Sequence, residues 1–494
     1  MKSKYFKNII SQLKIKRHIS FICLLIIFIS SCKKIVEVEA PYTSTSAGNV
    51  FKEDNNAIAV VTAIFAQASS SAVFSGSRSI NLFAGLSSDE LTLNSGVTQS
   101  NYVAYYINDL VANQISSFGS ENWQELYNYI YQCNAAIEGL QVSTTLTAAV
   151  KQQLLGEAKF LRAFFYFYLV NLYGDVPLAL TTDYKVNALL SRTFVSDVYR
   201  QIILDLNEAK DLLSADYLDG RLVKYSSNLL GERVRPTKWA SLALLSRVYL
   251  YAGNWAGADS SASVLISNTS IYDTVSLNNV FLKNSKEAIW QLQPVNSGRN
   301  TEDATTFILT TSGPTSNTDR PVYLSDTLLK SFEVGDQRKT QWVNNVVATG
   351  TGINYYYPFK YKNNGSTVTE YLMALRLGEQ YLVRAEARVH LGNISGAKND
   401  LNVIRARARL NPTTANDQTS LLSAILHERQ VELFTEWANR WFDLKRTQNV
   451  DAIMTVITPK KSNGLIQWRS YQQLYPILFS DLAKNHNLIQ NSGY

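Results

Sequence analysis

Histidine is nearly absent, with four in 494 residues, and there are only three cysteines and three methionines. So few imidazoles and thiols leave little from which to build a metal centre or a histidine proton relay. His427-Glu428 is followed by Arg-Gln-Val, so the zinc pattern His-Glu-x-x-His fails. There is no Gly-x-Ser-x-Gly elbow and no glycine-rich phosphate loop ending in Gly-Lys. No cofactor and no metal are implied. A glycosidase needs only two carboxylates across the sugar, which leaves no sequence signature. Asp89-Glu90 is the acidic couple to nominate, and it reads as a solvated loop or a helix cap.

Charge is also sparse, at 18% of residues, and the formal net of +7 gathers at one end. Lys2, Lys4, Lys7, Lys14, Lys16 and Arg17 precede an apolar run from Ile19 to Ile29, which ends at Ser30-Ser31-Cys32. A basic flank, a short apolar core and small residues before a cut have the order of a secretory signal. The run is about half of the roughly 20 residues that span a bilayer. Ile29-Ser30-Ser31-Cys32 resembles a lipobox, so residues 1–31 read as a lipoprotein signal peptide with Cys32 as the lipidated N-terminus. Removing those six basic residues leaves 41 against 40 acidic ones, a net of +1, with no excess to attract nucleic acid. Cys133 then lacks an intramolecular partner. Its place in Leu126-Tyr-Asn-Tyr-Ile-Tyr-Gln-Cys133 reads as a buried free thiol.

Residues 32–50 are small and polar and read as a lipidated tether, with residues 51–494 as a single globule. Bulky residues recur at helical spacing over Trp123–Leu140 and again over Leu146–Tyr173, which stops at Gly174 with Pro177 beyond. Thr237–Ser267 and Tyr371–Arg409 each read as helix, Gly-Asn break, helix. Leu250-Tyr-Ala-Gly-Asn-Trp-Ala-Gly-Ala258 matches Val389-His-Leu-Gly-Asn-Ile-Ser-Gly-Ala397 at Gly, Asn, Gly and Ala. Small residues about a turn let antiparallel helices close in, as in tetratricopeptide-like hairpins. A last helical block covers 421–447. Between about 268 and 370 the texture turns to Asn, Thr, Ser and Gly around a strand at Glu287–Gln293, and residues 66–120 share it. Long loops of this kind are functional or mobile.

Three segments carry a family resemblance. Gly156-Glu-Ala-Lys-Phe-Leu-Arg-Ala-Phe-Phe-Tyr-Phe-Tyr-Leu-Val-Asn-Leu-Tyr-Gly-Asp-Val-Pro177 comes first. Arg440-Trp-Phe-Asp-Leu-Lys-Arg446 follows, behind Glu428-Arg-Gln-Val-Glu-Leu433. Leu474-Tyr-Pro-Ile477 through Asn487-Leu-Ile-Gln-Asn-Ser-Gly-Tyr494 comes last. In this order, behind a lipoprotein signal, they resemble the SusD/RagB family of outer-membrane nutrient-binding lipoproteins. The resemblance implies a mostly α SusD-like fold with four tetratricopeptide-like helix hairpins. An irregular, loop-rich ligand-binding half with a few short strands would pack against them. The N-terminal SusD-like region would cover about 51–220 and the C-terminal SusD/RagB region about 280–494. The resemblance also implies a non-catalytic protein of polysaccharide utilization, lipid-anchored at the outer membrane and facing the cell surface. Such a protein captures oligosaccharides, or in some members peptides, and hands them as a lid to a SusC-like TonB-dependent transporter. A surface glycan-degrading enzyme, and an adaptor that only braces a transporter or scaffolds a surface complex with no ligand pocket of its own, are the remaining alternatives. Within the motifs, Glu436 and Arg440 are four apart and pair across one turn, while Gly174 and Pro177 end a helix.

Ligand contacts in this family vary with the substrate, so the site candidates come from loop chemistry. A sugar ring buries its C–H face on a flat aromatic ring while its hydroxyls pair at the rim. Aromatics make up 11% of the chain, and most of them sit at helical spacing and are core. The candidates are those in polar stretches: Tyr102, Tyr105 and Tyr106 early, then Tyr323, Trp342, Tyr355, Tyr356 and Tyr357 late.

Overall fold

A helix that is apolar on every side belongs in an interior, and the segment ending at Gly174 is one. A computed structural model describes residues 50–70, 73–226, 231–316 and 319–494. The expected signal peptide, Cys32 and the tether up to residue 49 lie outside the described residues. The chain enters through α1 (Asp54–Ser70), α2 (Ile80–Ser87), β1 (Leu91–Leu93) and α3 (Ser100–Tyr106). Two long helices follow, α4 (Glu121–Val142) and α5 (Ala148–Tyr173), and then α6 (Val195–Leu212). From Phe160 to Tyr173 every residue of α5 except Asn171 is buried, and α1, α4 and α6 pack around it. Cys133 of α4 is buried and free, and burial pushes its thiol well above the usual range.

The last carbonyls of α5 have no partner within the helix. The C-terminal segment supplies partners. Tyr475 N donates to Leu172 O at 2.9 Å, and Asn491 Nδ2 donates to Tyr173 O at 2.9 Å and Tyr475 O at 2.7 Å. The helix leaves through Gly174 at φ +76°, against the Leu474 side chain.

Next come α7 (Lys238–Tyr251), α8 (Trp255–Ile266), β2 (Ala288–Leu292), α9 (Glu302–Phe307), β3 (Val322–Leu324), β4 (Val343–Val347), β5 (Asn354–Pro358) and β6 (Leu372–Arg376). Then come α10 (Leu377–His390), α11 (Ile394–Arg407), α12 (Gln418–Glu432), α13 (Asn439–Arg446) and α14 (Val450–Lys461), followed by the C-terminal segment with a short helix at Phe479–Lys484. The fold is mostly helical. The hairpins α7–α8 and α10–α11 share one turn chemistry. Gly253 and Gly392 take φ +72° and +77°, and Asn254 and Asn393 cap the next helix by accepting the N–H of Gly257 and Gly396, each at 2.9 Å. A Cβ on Gly257 would lie 2.9 Å from the Tyr249 ring, so that glycine sets how closely the pair packs.

Two helical expectations are corrected. Residues 372–376 form β6, paired antiparallel with β2, and only from Leu377 does the chain become helical. Every residue of β6 is buried, and a strand buried on both faces shows no alternation to separate it from a helix. The block at 421–447 is broken between α12 and α13, where Thr435, Trp437 and Ala438 adopt positive φ.

That break sits over a buried charge network. Arg376 on β6 donates to Glu436 (2.8 Å), Glu287 (3.0 Å), Glu432 (2.7 Å) and the Glu432 carbonyl (3.0 Å). Arg407 joins Glu287 and Glu432, Arg338 joins Asp336, Glu428 and Glu432, and Lys360 joins Glu436. Burial alone would raise the Glu432 pKa, but Arg407, Arg376 and Arg338 hold its carboxyl far below the usual range. The expected Glu436–Arg440 pair is therefore replaced: Glu436 turns inward to Arg376 and Lys360, and Arg440 grips Asp89 through two bonds of 2.7 Å. Asp89 and Glu90 are likewise not a solvated couple. Each is 2% exposed, and burial together with the Asp89 charge pushes Glu90 up to about 8.

Candidate ligand-binding site

Helix α3 joins two surfaces. The first is a cleft of about 330 Å³ lined by Gln67 and Ser70 of α1, Arg78 in the turn before α2, and Glu121, Asn122 and Glu125 of α4. Glu121 opens α4, and its Oε2 accepts the Tyr105 hydroxyl and the Gly119 N–H, both at 2.7 Å. Burial raises the Glu121 pKa, and those two donors and the nearby Arg78 oppose the rise. Glu121 Oε1 has no partner among the described residues, and neither does Nδ2 of Asn122, a residue only 2% exposed. A buried polar atom left unpaired costs about 1–3 kcal/mol. Both residues line the cleft, while the two unpaired atoms themselves are shielded from solvent.

The second surface is a shelf of half-buried tyrosines. Pairing of β1 with β3 sets Thr92 opposite Tyr323, and the Tyr106 side chain of α3 bonds to Thr92. Tyr323 meets Tyr355 of β5 edge-on at 5.0 Å. Gly313 keeps that ring's place open, because a Cβ there would lie 3.2 Å from Tyr355. Below, the Lys461 amine sits 4.9 Å from the centre of the Tyr106 ring and donates to the carbonyls of Leu86 and Ser88. The two surfaces are linked through α3, whose Tyr102 hydroxyl donates to Ser77 O and whose Tyr105 holds Glu121.

Of the loop aromatics nominated from sequence, Tyr106, Tyr323 and Tyr355 come together, and Tyr356 is exposed. Tyr356 neighbours Tyr355 along β5 and so projects from the opposite face. For the others the reading of an exposed loop ring is corrected. Tyr102 and Tyr105 lie on the inner side of α3, with Tyr105 stacked 4.1 Å from Phe83. Trp342 is fully buried, donating Nε1 to Leu277 O at 2.9 Å beside Phe281. Tyr357 is buried against Phe359. Tyr102 and Tyr105 sit on a short helix within polar sequence that turns one side inward, which composition does not register. Arg78, Glu121 and Asn122 escaped the sequence reading. Their only signal was an acid and an amide at the start of a long helix, a pattern that serves helix ends generally.

A separate groove of about 340 Å³ between α4 and the C-terminal segment is walled mainly by apolar side chains such as Tyr127, Ile130 and Leu488. Its Trp123 and Asn134 donors are already bonded within the protein, so it matches a polyol less well. Among the described residues no group of His, Cys, Asp and Glu is placed to hold a metal ion, and no helix is long and apolar enough to cross a membrane.

Residues 52–250 match a family model described as starch-binding and associating with the outer membrane, and residues 334–494 match the model of the SusD family. A SusD-like protein, P2, of Formosa agariphila is 24% identical over 440 residues, covering 78% of this chain and 83% of its own. A SusD superfamily protein of Bacteroides vulgatus superposes with a TM-score of 0.73 at 19% identity, over 90% of this chain and 99% of that one. A laminarin-binding SusD-like protein superposes with a TM-score of 0.71 at 20% identity, over 90% and 100%. The three sequence motifs, the helical architecture and two matched models in one order converge, and the chain belongs to the SusD/RagB family.

Proposed function

We propose that this protein captures uncharged oligosaccharides at the outer membrane without cleaving them, and presents them to a TonB-dependent transporter as its lid. One observation carries the binding: a polar cleft lined by Arg78, Glu121, Asn122 and Glu125, joined through α3 to a shelf of half-buried tyrosines. Hydroxyls of a sugar pair with the first, and the C–H face of a ring lies on the second. The description of one fold neighbour as laminarin-binding, and of the matched model as starch-binding, supports sugar over peptide. Within the cleft Glu121 and Glu125 outnumber Arg78, an excess of negative charge that disfavours sulfated and uronic oligosaccharides.

Glu121 and Glu125 lie one turn apart on α4 and approach a ligand from one side, whereas a glycosidase sets its carboxyls on opposite sides of the scissile bond. Asp89 and Glu90 are buried and do not line the cleft. This favours binding without turnover. Lipidation at Cys32 supplies the membrane anchor in this reading, with the globule at the cell surface.

Titration calorimetry at pH 7.5 against uncharged, uronic and sulfated oligosaccharides and mixed peptides tests the ligand class. The expected result is micromolar or weaker affinity for an uncharged oligosaccharide, with no reducing ends released. Preference for a peptide or a polyanion would replace the ligand assignment, and hydrolysis would refute the non-catalytic one. For the transporter, the full-length lipoprotein with a C-terminal tag, purified from detergent-solubilised outer membranes, should bring with it a large β-barrel in near-equal amount. Recovery of the lipoprotein alone would refute the lid role.

A further inference from the structure

Asp303 is the first buried carboxylate of α9, only 1% exposed, and it serves residues more than 200 positions away. Its Oδ1 accepts the Gly76 N–H and its Oδ2 accepts Asn81 Nδ2, each at 2.9 Å. Gly76 takes φ +84°, and a Cβ there would lie 3.2 Å from the Glu302 Cβ, so the turn is pressed against α9. Two residues beyond Gly76 stands Arg78 of the cleft, and between them Ser77 receives the Tyr102 hydroxyl. Asn300, just before α9, donates to the carbonyls of Gly365 and Thr367, which anchors the start of α9 to the loop before β6.

We infer that Asp303 is a positioning residue for the ligand cleft: its carboxylate clamps the Gly76–Asn81 turn and thereby sets where Arg78 meets the ligand. The inference rests on the oligosaccharide-binding reading above. A carboxylate suits two converging N–H donors because it is acceptor-only. A proton on it introduces a donor among donors and weakens the clamp. Burial pushes Asp303 up to about 7, with Glu302 adding to the rise, so the clamp changes state near neutrality. The other titratable groups around it are Tyr361, whose hydroxyl accepts the Met373 N–H, and Lys360 and Glu436 across a small shared cavity, which are bonded to each other. Asn81 Oδ1 is buried without a partner, so the turn has no second polar tie through that side chain.

Calorimetric affinities of the wild-type protein and of Asp303→Asn between pH 6 and 8.5, with the oligosaccharide found in the panel above, test the clamp. The wild type should bind about three- to ten-fold more weakly at pH 6 than at pH 8. Asp303→Asn should bind weakly throughout, with a flat profile and an unchanged melting cooperativity. Wild-type affinity in Asp303→Asn, or a wild-type pH slope, would overturn the inference. Should that variant fail to fold, Asn81→Ala removes one donor and should move the pH midpoint upward; an unmoved midpoint is the contrary result. Hydrogen exchange of the Gly76–Ser79 amides, corrected for intrinsic rate, separates the clamp from the ligand assignment. Faster exchange in Asp303→Asn with no sugar bound by either protein would sustain the clamp while sinking the oligosaccharide reading. Equal exchange would sink the clamp alone.

Discussion

Arg376→Ala will destabilise the fold by about 3–5 kcal/mol, the usual cost of removing one partner from a buried ion pair. Arg376 faces Glu287, Glu432 and Glu436 at once, and all four residues are at most 6% exposed. Removing the guanidinium leaves three carboxylates to share Arg407, Arg338 and Lys360. Urea unfolding followed by circular dichroism measures the loss, and a change below about 1 kcal/mol would show that the remaining cations suffice. The pH dependence follows from the same geometry. Glu432, Glu436 and Asp443 have pKa values lowered in the fold, where arginines outweigh burial. A lowered carboxylate contributes stability that is present above its unfolded value, roughly 4, and is lost as pH falls through the folded one. The wild type should therefore lose stability progressively below about pH 4. Arg376→Ala should lose less over that range, because less of the contribution remains to be titrated.

The second large effect is on binding. Tyr355→Ala should weaken oligosaccharide affinity about ten-fold, near 1.4 kcal/mol, by removing one ring of the shelf and unseating Tyr323. Tyr356→Ala, one residue on and facing away, should change affinity less than two-fold. The contrast between neighbours matters more than either value. Equal effects would mean that the ligand does not lie on the Tyr106–Tyr323–Tyr355 side, and isothermal titration of both variants decides it. Trp342→Ala belongs to another class: with its ring fully buried, it should lower stability and leave the affinity of the folded fraction unchanged.

Much of the architecture was legible because it rests on local physics. The period of the apolar residues marked α4 and α5, and Gly174 marked the stop. The repeated Gly-Asn-x-x-Gly pattern marked the α7–α8 and α10–α11 turns, where positive φ and an Asn cap are needed together. The family motifs were legible too, but their reasons were not. Arg440 belongs to Asp89 at a distance of 351 positions, and no helical spacing points there.

The site shows the same division. Composition located aromatics in polar stretches, and three of those rings do converge. Composition could not separate Tyr106 from Tyr105, which differ only in which side of a short helix packs inward. The amino-acid sequence by itself determined the long helices α4 and α5, the two Gly-Asn turns, the family and the absence of familiar catalytic motifs, because each depends on neighbours within a few residues. Only the tertiary structure decided which charges are buried, which tyrosines form a shelf, and that Glu121 and Asn122 meet Arg78 across an open cleft. Those outcomes depend on desolvation and on pairings between residues tens to hundreds of positions apart, and no local pattern encodes them.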